Sequence, residues 1–139
     1  MDTQQVIATL NSFQNAEDEK QVTAMLDALS HLRASPASES IEPLFRIFER
    51  FAYDDYYEYF WSILHTLERT PNYEPELLRS IARQPNEFNV LMISRMLNAD
   101  THNIGDTDLV DLLRRITKDE RTPERAQELL PFFIQEHDA

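Results

Sequence analysis

The chain reads as an all-α protein: about eight antiparallel helices taken in pairs, forming a short HEAT-like α-solenoid or a compact helical bundle. Three observations lead there. Apolar residues recur at helical spacing nearly throughout, and runs that alternate strictly with β-branched residues are missing. The 139 residues include a single glycine, Gly105, so positions that demand left-handed backbone or close approach to an anion are scarce.

The first predicted helix runs from about Thr3 to Asn15, with Val6, Ile7, Leu10 and Phe13 in one stripe, and the second from about Glu17 to Arg33, with Val22, Met25, Leu26, Leu29 and Leu32. Glu17, Asp18 and Glu19 sit at the start of the second, where carboxylates complement the helix dipole. Ala34 to Ser40, with Pro36, reads as a loop, and Ser40 as the cap of a third helix carrying Pro43 in its first turn. That helix buries Ile41, Leu44, Phe45, Ile47, Phe48 and Phe51. Asp54 or Asp55 is the expected cap of a fourth, which ends near Thr70 because Pro71 follows. Its wide stripe of Tyr57, Phe60, Trp61, Ile63, Leu64 and Leu67 marks a central helix.

Pro75 opens the fifth helix (Leu77, Leu78, Ile81) and Pro85 ends it, and Asn86 caps the sixth (Phe88, Val90, Leu91, Ile93, Met96, Leu97). A polar loop over 98–106 leads to Asp106 or Thr107 as cap of the seventh (Leu109, Leu112, Leu113, Ile116). Thr122 and Pro123 open the last helix, with Leu129, Leu130, Phe133 and Ile134 apolar and Pro131 expected to kink or shorten it. Paired units begin near residues 2, 40, 73 and 106, a period of roughly 33–38 residues that suits a stack of helix pairs. The WxxLG and TPLHxA repeat signatures are absent. The chain is read as a single domain over 1–139, interrupted by the loops at 34–40 and 98–106.

Lysines and arginines number 13 against 25 acids, a formal charge of -12, which opposes direct binding to nucleic acid or anionic membrane and favours a basic protein partner. There are no cysteines, which removes thiolate metal sites and nucleophiles and suits a reducing compartment. No apolar run reaches the roughly 18 to 20 residues of a membrane span and the N-terminus lacks the layout of a signal peptide, so a cytoplasmic location is expected.

No constellation points to catalysis, a cofactor or a metal, and the protein is read as not an enzyme. His65 and Glu68 share a helix face at i, i+3, but the second Glu-x-x-His motif of a di-iron bundle is missing. His102 between Asp100 and Asp106 is a weak ligand set whose acids are better read as caps. Asp54 and Asp55, as neighbours on a helix, point about 100° apart and do not converge on one atom. No serine lies in a GxSxG elbow.

The stretch Glu49 to Trp61, ERFAYDDYYEYFW, is different: four of the five tyrosines stand among four carboxylates beside the only tryptophan. Tyr and Trp supply contact area at low entropic cost and carboxylates steer cations. Asp54, Asp55, Tyr56, Glu58 and Tyr59 are the expected partner-binding residues. Tyr59 is the ring expected in solvent, Tyr53 is placed over the end of the third helix, and Tyr57 and Trp61 are assigned to the core.

The segment FERFAYDDYYEYFWSILHTLE, Phe48 to Glu68, followed by Tyr73 to Ala99 with its ELLRS run and the Arg95 to Asn98 helix end, resembles small all-helical immunity proteins of bacterial polymorphic-toxin and contact-dependent growth-inhibition systems. The resemblance implies a cytosolic, non-enzymatic protein that binds its cognate toxin domain, often a nuclease, and occludes a basic active-site or substrate surface. It assigns no individual residue as a contact. An adaptor or scaffold that holds another protein on a HEAT-like surface is the alternative.

Overall fold

The computed structural model describes residues 1–54 and 57–137. Among them are helices α1 (Thr3–Asn11), α2 (Glu19–Ala34), α3 (Ile41–Arg50), α4 (Phe60–Arg69), α5 (Glu74–Arg83) and α6 (Glu87–Asn98), the strands β1 (Asn103–Ile104) and β2 (Thr107–Asp108), then α7 (Leu109–Thr117) and α8 (Glu124–His137). The all-α class holds. Within each successive pair the helices pack on each other, and across pairs α1 meets α3, α3 meets α5, α2 meets α4, α4 meets α6 and α6 meets α8. Packing of a helix on the one two places further along the chain, which holds in every case but α5 with α7, is the pattern of stacked helix pairs. Helix α3 also touches α6 and buries Ile41, Leu44, Phe45, Ile47 and Phe48, so it shares the centre with α4.

Local chemistry explains most helix starts. Asp2 and Gln5 form a reciprocal capping box on α1, and Asn86 and Asn89 form one on α6. The Asp18 carboxylate accepts from the Lys20 and Gln21 amides at α2, and Asp108 accepts from the Asp111 amide at α7. Three expected caps differ. Ser40 does not cap α3 through its side chain; a single 3₁₀ turn, Ser38–Ser40, runs straight into the helix and the Ser40 hydroxyl donates to the Ala37 carbonyl at 2.6 Å. The cap of α7 is Asp108 rather than Asp106 or Thr107, because residues 103–108 fold into a small antiparallel hairpin pairing Ile104 with Thr107. Its turn holds Gly105 at φ 57°, the left-handed region that a glycine enters without strain.

The third difference lies at α4, which begins at Phe60 and is preceded by Tyr59 with no side-chain cap, so Asp54 does not cap it. The rings of Tyr57 and Tyr59 stack at 5.6 Å and 21°. In a helix, side chains two apart point away from each other, so this stacking requires a non-helical lead-in. Tight turns supply it, with the Phe60 amide donating to the Tyr57 carbonyl and the Trp61 amide to the Glu58 carbonyl. Helix α1 ends at Asn11 rather than near Asn15, because the Gln14 and Asn15 amides both donate to the Gln21 side chain of α2 and turn the chain there. Helix α8 passes through Pro131 and continues to His137.

A polar network joins α3, α5 and α6. Glu49 of α3 accepts two hydrogen bonds from Arg83 of α5, both 2.8 Å, and one from the Ser80 hydroxyl, 2.8 Å, while Arg83 also donates to Glu76 at 2.9 Å. The Asn89 amide of α6 donates to the Ser80 oxygen, which completes the link to the third helix.

Candidate functional site

The connections inside the helix pairs are tied along one edge of the stack. Residues 12–18 join α1 to α2, 51–59 join α3 to α4, 84–86 join α5 to α6 and 118–123 join α7 to α8. The Tyr59 hydroxyl donates to the Ala16 carbonyl at 2.9 Å, spanning the first two connections. The Tyr53 hydroxyl donates to the Arg121 carbonyl at 2.6 Å, and the Gln84 side-chain amide donates to the same oxygen at 2.8 Å, gathering the second, third and fourth. Arg121 itself donates to the Ala82 and Arg83 carbonyls, satisfying the end of α5.

An open groove of about 480 Å³ lies along this edge, walled by Gln14, Asn15 and Glu17 on one side and by Phe51, Tyr53, Asp54 and Tyr57 on the other. Its base is an aromatic cluster. Phe13 contacts Phe51 at 5.3 Å and Tyr59 at 6.0 Å, and Tyr57 and Tyr59 both contact Phe60, each at 5.4 Å. The Arg50 guanidinium donates to the Phe13 carbonyl and fixes the end of α3 against this floor.

Of the expected contact residues, Asp54 and Glu58 are exposed and, among the described residues, enter no ion pair. Asp55 and Tyr56 lie outside the described residues. Tyr59 is not the solvent-facing ring. It is half-buried against the core with its hydroxyl bonded to Ala16, and burial first, then Tyr57, Asp54 and Glu17, push that hydroxyl up to about 12. Its role is to hold the 12–18 connection in place. Tyr53 takes the exposed position instead, with 67% of its surface accessible, reaching Arg121 rather than covering α3. Tyr57 and Trp61 are half-buried against the core, Trp61 by an edge contact with Phe88 at 5.6 Å.

Glu17 is the residue that sequence reasoning missed here. It is exposed, lines the groove and acts electrostatically on the Tyr59 hydroxyl together with Asp54, so carboxylates from two connections face the same feature. Some 40 residues separate them in the chain, and no local pattern announces the meeting.

The other acidic sets are partly occupied, Asp100 and Asp106 being exposed and, among the described residues, in no ion pair. Glu68 accepts two 2.8 Å hydrogen bonds from Arg95, and His65 stands 3.9 Å away, which leaves Glu68 committed to the arginine. Asp108 caps α7 and Asp111 pairs with Arg114 at 3.1 Å. Among the described residues no group of three or more His, Cys, Asp or Glu is placed to hold a metal ion, and no helix is long and apolar enough to cross a membrane. Comparison of the chain with family models, with curated proteins and with solved structures finds no match.

Proposed function

We propose that this protein is a non-catalytic binding protein that neutralises a basic toxin domain, a nuclease being the best fit, by seating the toxin's cationic active-site or substrate surface on the acidic edge formed by the 12–18 and 51–59 connections. One observation carries the reading. Among the described residues Glu17 and Asp54 are exposed without internal counter-ions on a groove walled by Tyr53 and Tyr57, and Glu58 is exposed and unpaired in the same connection as Asp54, whereas Glu49, Glu68, Glu76 and Glu87 are spent on arginines. A cation 4 Å from one such carboxylate gains about 1 kcal/mol at full hydration and about 4 kcal/mol once contact lowers the effective dielectric. The resemblance to immunity proteins points the same way.

The test is a pull-down with the product of the neighbouring gene, followed by association kinetics of the captured pair at two ionic strengths, for the natural chain and for Glu17→Lys/Asp54→Lys/Glu58→Lys. Steering predicts that the triple change slows association by roughly tenfold or more and flattens its salt dependence, with dissociation less altered. Association that ignores both salt and the substitutions sinks the reading.

An adaptor function is the second reading, favoured by a separate groove of about 280 Å³ with Leu78, Ile81, Ala82, Leu112 and Ile116 among its lining residues. Capture of a partner that Leu78→Asp and Leu112→Asp abolish, and the acidic-edge variant leaves intact, would decide for it.

A further inference from the structure

The edge that carries the connections between pairs has the opposite electrostatic character at one place. A cavity of about 130 Å³ is lined by Arg33 of α2 and by Ser62, His65, Thr66 and Arg69 of α4. Both arginines sit in the last turns of their helices, and α2 packs directly on α4. Arg69 lies ten residues beyond Tyr59, about 15 Å at the α-helical rise, so this cavity is distinct from the acidic groove.

What sets these two arginines apart is that both line one cavity while, among the described residues, neither has a counter-ion in a chain with 25 acids; Arg115 is also unpaired, but it lies outside that cavity and has Asp111 one turn back on its own helix. Arg46, Arg79, Arg83, Arg95, Arg121 and Arg125 all pair with carboxylates, and Arg50 is held by a carbonyl. Among the described residues neither Arg33 nor Arg69 makes a hydrogen bond or ion pair. Each also lacks a carboxylate one turn back on its own helix, where Leu29 and Ser30, and His65 and Thr66, stand instead. The nearest acid on α4, Glu68, is neutralised by the two bonds from Arg95.

Helix C-termini attract cations through the helix dipole, which accounts for an arginine at either end. It does not account for two of them with a histidine and a serine hydroxyl around one concavity. The buried Thr66 hydroxyl already donates to the Ser62 carbonyl at 2.7 Å, which leaves the Ser62 hydroxyl as the polar donor of the wall. The concavity is small, and its lining is two guanidinium groups, an imidazole and hydroxyls rather than an apolar wall, which suits an oxyanion. Guanidinium forks match the oxygens of a phosphate.

We propose that the Arg33–His65–Arg69 cavity is a binding site for a phosphate group, free or carried as a monoester. The probe is inorganic phosphate titrated into the full chain at constant ionic strength. Two readouts serve: amide shifts over residues 31–35 and 62–70, and emission of Trp61, the only tryptophan, whose ring centre is 6.0 Å from that of His65. The expected result is a saturable response confined to those segments, weakened at least about tenfold by Arg33→Ala or Arg69→Ala and less by Arg→Lys, which keeps charge without the fork. Arg115→Ala, at an exposed arginine elsewhere, leaves it unchanged. A parallel titration with glycerol phosphate separates the sources: equal affinity means that the free anion suffices, and markedly tighter binding means a phosphorylated organic ligand. A response that rises linearly, or that persists undiminished in Arg33→Ala/Arg69→Ala, overturns the site. Both arginines are exposed and unpaired, so their replacement leaves the fold standing, which the urea midpoint verifies.

Discussion

Replacing Glu49 by alanine should cost far more stability than its place on a helix flank suggests. The side chain is 8% exposed and takes both nitrogens of the Arg83 fork at 2.8 Å as well as the Ser80 hydroxyl at 2.8 Å. Removing one partner of a buried pair costs about 3–5 kcal/mol when the other is orphaned. Arg83 is not wholly orphaned, because Glu76 still accepts from it at 2.9 Å, so roughly half of that cost remains. The buried Ser80 hydroxyl loses its acceptor as well, for about 1 kcal/mol. The expected loss is therefore about 2–4 kcal/mol. The control is Glu42→Ala, whose i, i+4 partner is Arg46 and whose side chain is 55% exposed; pairs of that kind are worth about 0.3–0.5 kcal/mol. Urea unfolding followed by far-ultraviolet circular dichroism compares the two at unchanged slope, and a double-mutant cycle with Arg83→Ala isolates the pair. Equal losses for Glu49→Ala and Glu42→Ala would show that the network does not hold α3 to α5, and the reasoning would fail.

Asn86→Ala removes a cap whose oxygen accepts from the Phe88 and Asn89 amides in a buried setting, so a loss near the top of the usual range, about 2 kcal/mol, is expected in the same unfolding assay. Tyr59→Phe deletes the bond to Ala16 and should lower stability by about 1 kcal/mol, while slowing partner association by loosening Glu17; unaltered kinetics would separate the 12–18 connection from the interface. Tyr59 and Tyr73, both raised to about 12 with burial as the first cause, favour the neutral hydroxyl in the fold. Their contribution is intact below the ordinary value of 10.0 and is lost as pH climbs to about 12, which ultraviolet absorbance should register as two late-ionising tyrosines. On the acid side, burial raises the Glu76 carboxyl but hydrogen bonds from Arg79 and Arg83 outweigh it and hold the group low. A lowered value stabilises the fold above the ordinary carboxylate range, about 4.3, and that contribution fades as pH falls through the folded value. Glu76→Gln should flatten the stability curve in that window.

The helical class and the boundaries near Pro71, Pro75, Pro85 and Pro123 were legible because proline and helical spacing act within a few residues. Asn86 was legible as a cap for the same reason. The lead-in to α4 was not, because the stacking of Tyr57 on Tyr59 depends on Phe13 from the 12–18 connection and Phe51 at the end of α3, and tertiary packing overrides an otherwise helical stripe. The hairpin over 103–108 hides in a polar loop, its only local mark being Gly105. The exposure of Asp54 and Glu58 was legible from their charge, whereas Tyr59 was misplaced because a helical wheel through residues 54–59 assumes a helix there, and α4 starts only at Phe60. Glu17 carried no signal at all, since its own position already explains it as an acid near the start of α2.

The placement of Tyr53 bears on what the acidic edge can do. A ring with 67% of its surface in water is normally free to change rotamer, and fixing such a side chain on binding costs about 0.5–1.5 kcal/mol. Here the hydroxyl is already tied to the Arg121 carbonyl, which also accepts from Gln84 and belongs to the connection that closes α5. Much of that cost is met in folding, so the exposed face of the ring is presented beside Asp54 and Glu17 in a single orientation. Charge alone would serve solubility from any surface position. A pinned aromatic face beside unpaired carboxylates gives a cation both attraction and a fixed surface to pack on, and that combination distinguishes a docking edge from a merely acidic one.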